Sequence, residues 1–181
     1  MHMDDFYNLP SGVVEALLDN YTVQGRVLAP YDPLQLLTDN LKQRVSEITT
    51  NKDEENLYSL NWWLDQSVKD FDWVVAVTLG SREYNKYILE YGINIAKKGI
   101  IILDRLSFIE PVTRRRGFLL SNPMTKMIVL SPRPKFRAIG STRDSVTACW
   151  FVFEKDPKTK STEIAYALDW DAVKPLTPLQ P

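Results

Sequence analysis

Short, wholly apolar runs recur along the chain, and between them lie stretches whose apolar residues repeat at helical spacing. Val27-Leu28-Ala29, Val74-Val75-Ala76-Val77, Ile100-Ile101-Ile102-Leu103 and Met127-Ile128-Val129-Leu130 are apolar at every position. Such runs suit strands covered on both faces, as in a parallel sheet flanked by helices. Tyr84 to Lys97 carries the clearest helical stripe, with Tyr84, Tyr87, Ile88, Tyr91 and Ile95 on one side. Lys97 and Lys98 suit its C-terminal dipole, and Gly99 is expected just past its end. The spacing of Val13, Val14, Ala16, Leu17 and Leu18 predicts an earlier helix, with Ser11 as its N-cap. Leu34 to Leu41 predicts another. Val45 to Thr50 reads as β-prone and closes on the polar run Asn51 to Asn56. Ala148 to Phe153 and Thr162 to Ala167 flank Asp156-Pro157-Lys158-Thr159, the pattern of an antiparallel hairpin. Strands alternating with helices, then a hairpin, predict a three-layer α/β sheet. One domain over residues 1–174 is expected, followed by a proline-rich tail from Pro175 to Pro181 with little reason to be ordered.

Composition narrows the setting. The 181 residues, 44% hydrophobic and 25% charged, suit a globular domain with a real core. The apolar runs are far shorter than the ~20 residues that span a bilayer. Asp4 and Asp5 stand where a secretory leader would carry basic residues, so a cytoplasmic protein is expected. Cys149 is the lone cysteine and His2 the lone histidine, which leaves no basis for a disulfide or a metal site. Net charge is −1 but unevenly placed: residues 1–104 sum to −7, and residues 105–143 to +8. The basic segment holds Arg105, Arg114, Arg115, Arg116, Lys126, Arg133, Lys135, Arg137 and Arg143. A block this one-sided suits phosphate contacts in DNA or RNA, or pairing with the acidic half of the same chain.

In an open α/β sheet, chemistry collects at the carboxyl ends of strands. Residues 77–80 fall at such an end, yet Val77, Thr78, Leu79 and Gly80 offer one hydroxyl and no acid, base, amide or thiol side chain.

The order of the pieces resembles the Rossmann-like S-adenosylmethionine-dependent methyltransferases, and more narrowly the compact DNA adenine-N6 methyltransferase-like proteins of phages and mobile elements. The carrying segments are Asp5 to Pro10 with Ala16-Leu17-Leu18, Val27 to Pro30, Phe71 to Val75, Gly99 to Glu110, Arg133 to Phe136, and Asp144 with Ala148 to Lys155. The resemblance implies a three-layer Rossmann-like methyltransferase fold with S-adenosylmethionine as cofactor. By position the cofactor would be met by Phe6, Tyr7, Pro30, Tyr31, Asp32, Asp53 and Asp65. Asp53 reads equally as one of several solvated acids, Asp65 as a cap, and Phe6 and Tyr7 as aromatic packing. The family's catalytic tetrapeptide is Asn or Asp, Pro, Pro, then an aromatic that stacks on the flipped base. Here the aligned residues are Val77, Thr78, Leu79 and Gly80. Where the family has a glycine-rich cofactor turn, this chain has Tyr31-Asp32-Pro33-Leu34-Gln35, with no glycine between Gly25 and Gly80.

Loss of both motifs with the fold residues intact implies a catalytically impaired relative, kept as a nucleic-acid-binding or interaction module. The nucleic-acid contacts expected are Arg105, Arg114, Arg115, Arg116, Arg133, Lys135 and Arg137. Two rivals stand beside it. One is an active, divergent DNA methyltransferase using backbone carbonyls near Ala76 to Thr78. The other is a structural subunit acting as a homodimer or with an intact methyltransferase.

Overall fold

Trp73, Val75 and Val77 face one core and Val74 and Ala76 another, so the strand they form is buried on both sides. The computed structural model describes residues 9–136 and 146–171, with Arg115 described by its backbone alone. Phe6, Tyr7, Arg137, Arg143, Asp144 and the boundary with the tail lie outside the described residues. The strands are β1 (Arg26–Ala29), β2 (Glu47–Thr50), β3 (Trp73–Val77), β4 (Gly99–Arg105), β5 (Lys126–Ser131), β6 (Ala148–Glu154) and β7 (Glu163–Leu168). They form one sheet in the order β2-β1-β3-β4-β6-β5-β7. All neighbours run parallel except β6, which is antiparallel to both β4 and β5.

Helices cover both faces, giving the expected three layers. The helical segments are α1 (Ser11–Asn20), α2 (Leu36–Leu41), α3 (Glu54–Leu57), α4 (Leu60–Ser67), α5 (Arg82–Tyr87), α6 (Ile93–Ile95), α7 (Val112–Arg116) and α8 (Phe118–Ser121). Val13, Val14 and Leu17 of α1 and Leu37 and Leu41 of α2 pack with Val27, Val75, Ile101 and Trp150 on one face. Leu57, Trp63, Tyr84 and Ile88 pack with Val74, Ile100, Ile102, Phe151 and Phe153 on the other. Trp150 donates to the Val13 carbonyl at 2.8 Å and Trp63 to that of Leu57 at 2.8 Å, so these two fully buried indoles have partners. Cys149 is buried in β6, and burial pushes its thiol up to about 12, so it packs as an inert apolar group.

Several local expectations change. The two C-terminal strands run in opposite senses but form no hairpin pair, because β5 lies between β6 and β7. Ser11 is the first helical residue and makes no capping bond; Pro10 occupies the cap position. The Leu34 helix starts at Leu36, leaving Leu34 exposed. The Tyr84 helix runs from Arg82 to Ile95 and contains a π-helical turn at Ile88–Gly92. Gly99 is the first residue of β4, not a helix end. A Cβ there would stand 2.0 Å from the Phe153 carbonyl oxygen, so glycine is required by the close approach of β6.

Candidate functional site

The carboxyl ends of β1, β2, β3 and β4 share one edge of the sheet, and their loops are built from buried polar residues. After β1 the chain turns through Tyr31 to Gln35. Gln35 donates its N–H to the Asp32 carbonyl at 3.0 Å, closing a turn around Pro33. Gln35 itself has φ 57°, so the left-handed step arises without glycine. Asp32 is fully buried, and its carboxylate accepts the N–H of Leu37 at 3.3 Å and of Thr38 at 2.7 Å. Those are the second and third amides of α2, in its first turn, so Asp32 caps that helix. Tyr31 is buried in the core on the far face of the sheet.

Asn51, just past β2, ties this loop to the next. Its amide donates to the Pro30 carbonyl at 3.1 Å and the Asp53 carbonyl at 2.6 Å. Its side-chain oxygen accepts from the Asp53 N–H and the Asn56 amide, both at 3.1 Å. Asp53 is exposed and accepts the Glu55 N–H at 3.0 Å, capping α3. Asp65 is exposed late in α4, a helix that leads back towards the amino end of β3.

The loop after β3 is closed in a different way. Ser81 donates its N–H to the Thr78 carbonyl at 2.9 Å, and Leu79 (φ 43°) and Gly80 (φ 90°) supply successive left-handed residues. The Ser81 hydroxyl then caps α5 by accepting the Tyr84 N–H. Asp104, 1% exposed at the end of β4, holds the loop down. Its Oδ2 accepts the Thr78 hydroxyl at 2.8 Å and the Asn85 amide at 2.7 Å, and its Oδ1 accepts the Arg105 N–H at 2.6 Å. Asn85 Oδ1 is buried with no hydrogen-bond partner among the described residues. Tyr84 packs beneath, and burial first, then the Asp32 charge, holds its hydroxyl well above the usual tyrosine range. Val77 is buried, Leu79 packs partly on the core, and neither presents a polar side chain. Asp104 and Asn85 were not singled out from the sequence; an acid ending an apolar strand was the available signal.

Among the described residues the basic segment is divided between the two ends of the sheet. Arg105 lies against the β3 loop, its guanidinium carbon 3.4 Å from where a Cβ would stand on Gly80. Arg114 sits 4.1 Å over the Phe108 ring and donates to the Phe108 carbonyl; burial lowers its pKa. Arg116 and Arg133 are exposed and Lys135 is half-buried. Lys126 belongs to the opposite edge, paired with Glu163 at 2.9 Å. Arg114 instead joins Arg82 and Lys86, from the acidic half of the sequence, around a groove of about 430 Å³ with Leu89, Glu90, Thr113 and Phe118.

At the amino edge a larger crevice, about 800 Å³, is lined by Tyr21, Trp73, Lys97, Lys98, Lys126 and Glu154 among others. Several of its charges are paired: Lys97 with Asp70 at 2.8 Å, Lys98 with Asp72 at 3.4 Å, and Tyr21 donating to Glu154. Asp72 accepts the Arg26 N–H at 2.8 Å, joining the starts of β1 and β3.

A cofactor of the Rossmann-like kind needs free backbone amides after β1 and an acceptor after β2. Here Asp32 takes the α2 amides, and the Asn51 side chain is spent on the neighbouring loops. The turn after β1 therefore does not fit that group in the usual way, while Asp53, exposed past β2, leaves an acceptor there. Among them, no helix is long and apolar enough to cross a membrane.

No protein-family model matches the sequence, and no curated protein matches it. Solved structures do. A protein assigned to the class I S-adenosylmethionine-dependent methyltransferases from Listeria monocytogenes superposes with TM-score 0.61 at 14% identity, covering 92% of this chain and 67% of that one. A predicted O-methyltransferase from Agrobacterium tumefaciens gives TM-score 0.44 at 10% identity over 88% of this chain and 86% of that one. The first likeness shows that this chain has the class I methyltransferase fold.

Proposed function

We propose that the chain is a methyltransferase-fold protein, related to the adenine-N6 methyltransferases, that no longer transfers methyl groups and serves as a nucleic-acid-binding module. One contrast supports this reading. The loops where the fold would do its chemistry are filled by their own side chains, while the cationic groove beside them is open. Val77 to Gly80 provide neither the amide that would accept from an adenine amino group nor the ring that would stack on it. The groove pairs Arg82, Lys86 and Arg114 with the apolar surface of Leu89 and Phe118. Cations beside an aromatic suit a phosphate backbone whose bases rest on apolar surface. Arg105, at the end of β4 against the β3 loop, would add a further cation, in contacts that position without reading sequence.

The test is anisotropy with labelled single-stranded and duplex DNA between about 50 and 200 mM salt. A steep salt slope is expected, and Arg82→Ala with Lys86→Ala should flatten it by about two phosphate contacts' worth. No binding at low salt defeats the nucleic-acid reading. Calorimetric titration with S-adenosylmethionine and S-adenosylhomocysteine should show no micromolar binding. Binding together with tritium transfer to DNA would establish the active, divergent enzyme in its place.

A further inference from the structure

We infer that the groove between α5 and α7–α8 receives the phosphorylated end of a nucleic-acid strand, its cations holding the terminal phosphate monoester and its apolar wall carrying the last base. The inference rests on the nucleic-acid reading and narrows it from a backbone to a strand end.

Charge is the first reason. Arg82, Lys86, Leu89 and Glu90 follow one another at three- and four-residue spacing along the helix that starts at Arg82, so they share a face and form one wall. Thr113 and Arg114 of α7 and Phe118 of α8 form the other. Three cations therefore meet one carboxylate, a surplus of two positive charges. Arg82 and Lys86 are exposed and hold no ion pair among the described residues. An internal phosphate carries one negative charge, whereas a terminal monoester carries about −2 at neutral pH. The surplus matches the monoester.

Size points the same way. The groove holds about 430 Å³, within the roughly 300–1,000 Å³ of small-ligand sites. Proteins that track a strand along a groove cover roughly 4–16 nucleotides. A space this small suits a terminal nucleotide instead.

The walls are also fixed in place. The Arg114 guanidinium lies 4.1 Å over the Phe108 ring and donates to the Phe108 carbonyl. Phe108 in turn stacks on Phe151 of β6, with ring centroids 5.0 Å apart. The carbonyl takes one of the five guanidinium N–H groups, and the rest of the planar fork can pair with two oxygens of a monoester. Phe118 is half-buried and set edge-on against Phe153, with ring centroids 5.3 Å apart. Its remaining surface lies with Leu89 in the groove, a stacking place for the terminal base.

The probe is a single-stranded DNA oligonucleotide with an internal label, made in three forms: 5′-phosphate, 3′-phosphate, and hydroxyl at both ends. In anisotropy at about 100 mM salt, a phosphorylated form should bind about tenfold more tightly than the hydroxyl form, and the form that does so gives the strand polarity. The advantage should shrink below about pH 6, where the monoester takes up a proton and internal phosphates do not. Arg114→Lys keeps the charge but removes the fork, and Arg82→Gln removes a cation at an exposed position. Each should cut the advantage about threefold or more and change binding of the hydroxyl form less. Equal binding of all three forms, an advantage that ignores pH, or one untouched by both variants overturns the strand-end proposal and leaves the nucleic-acid reading standing. No binding of any form at low salt overturns both together. A nucleoside monophosphate that competes as well as the phosphorylated strand overturns the proposal in favour of a free nucleotide.

Discussion

The two edges of the sheet solve the same problem with different chemistry. At the carboxyl edge Asp32, Asn51, Thr78, Asn85 and Asp104 are all buried and bond to one another's loops or to helix ends. At the amino edge the acids pair with lysines that remain half-exposed, as in Lys97 with Asp70 and Lys98 with Asp72. Exposed pairs contribute little because water screens them, whereas a buried acceptor left without its donors, or the reverse, costs its full desolvation. The carboxyl edge, where ligands of open α/β sheets ordinarily bind, is the one held by buried hydrogen bonds.

The largest test of that contrast is Asp104→Ala. It strips partners from the Thr78 hydroxyl, the Asn85 amide and the Arg105 N–H at once, and should lower stability by about 3–5 kcal/mol in urea unfolding. A loss below about 1 kcal/mol would mean that water replaces the carboxylate and the edge is open. Asp32→Ala comes next. It removes the cap of α2 from a buried site, and about 2 kcal/mol is expected. If that variant gained micromolar affinity for S-adenosylmethionine, the capping carboxylate would be the single obstruction to the cofactor.

Asp72 probes the amino edge through pH. The Arg26 N–H, then Lys98 and Lys97, hold its carboxyl below the usual range against an opposing push from burial. A depressed folded value means its contribution is complete above the unfolded value, near pH 3.9, and is lost as pH falls through the lower folded one. Asp72→Asn should therefore flatten the acid-unfolding curve below about pH 4 and cost about 1 kcal/mol at neutral pH. An unchanged acid limb would assign that sensitivity to other carboxylates.

The contrast also explains what the sequence made legible. Val74 to Val77 and Ile100 to Leu103 were readable as central strands because burial on both faces leaves no polar position to confuse the period. The place of β7 was not, since it pairs with β5 across more than thirty residues of chain instead of with the adjacent β6. Gly99 looked like a helix end because the same residue serves either a left-handed cap or a close strand approach. The polar network escaped notice for a related reason. Thr78 and Asn85 lie 26 and 19 residues from Asp104, a separation that carries no local pattern. Charge blocks along the chain are spread in space for the same reason: Lys126 lies at the amino edge, and Arg114 stands beside Arg82 and Lys86 from the acidic half.

The smallest expected effect bears on the cofactor turn itself. The turn holds no glycine, yet Gln35 adopts φ 57°. A side chain in that region costs about 1–2 kcal/mol, and a glycine costs about 0.5–1 kcal/mol through the unfolded chain. Gln35→Gly should then stabilise the protein by about 0.5 kcal/mol, visible as a small rise in urea midpoint at unchanged slope. A gain of that size would identify the turn as a strained version of a glycine turn, its geometry kept by the Asp32 cap and the Pro33 ring. A loss would show that the Gln35 side chain supports the loop, and that the turn after β1 was rebuilt around it instead of inherited.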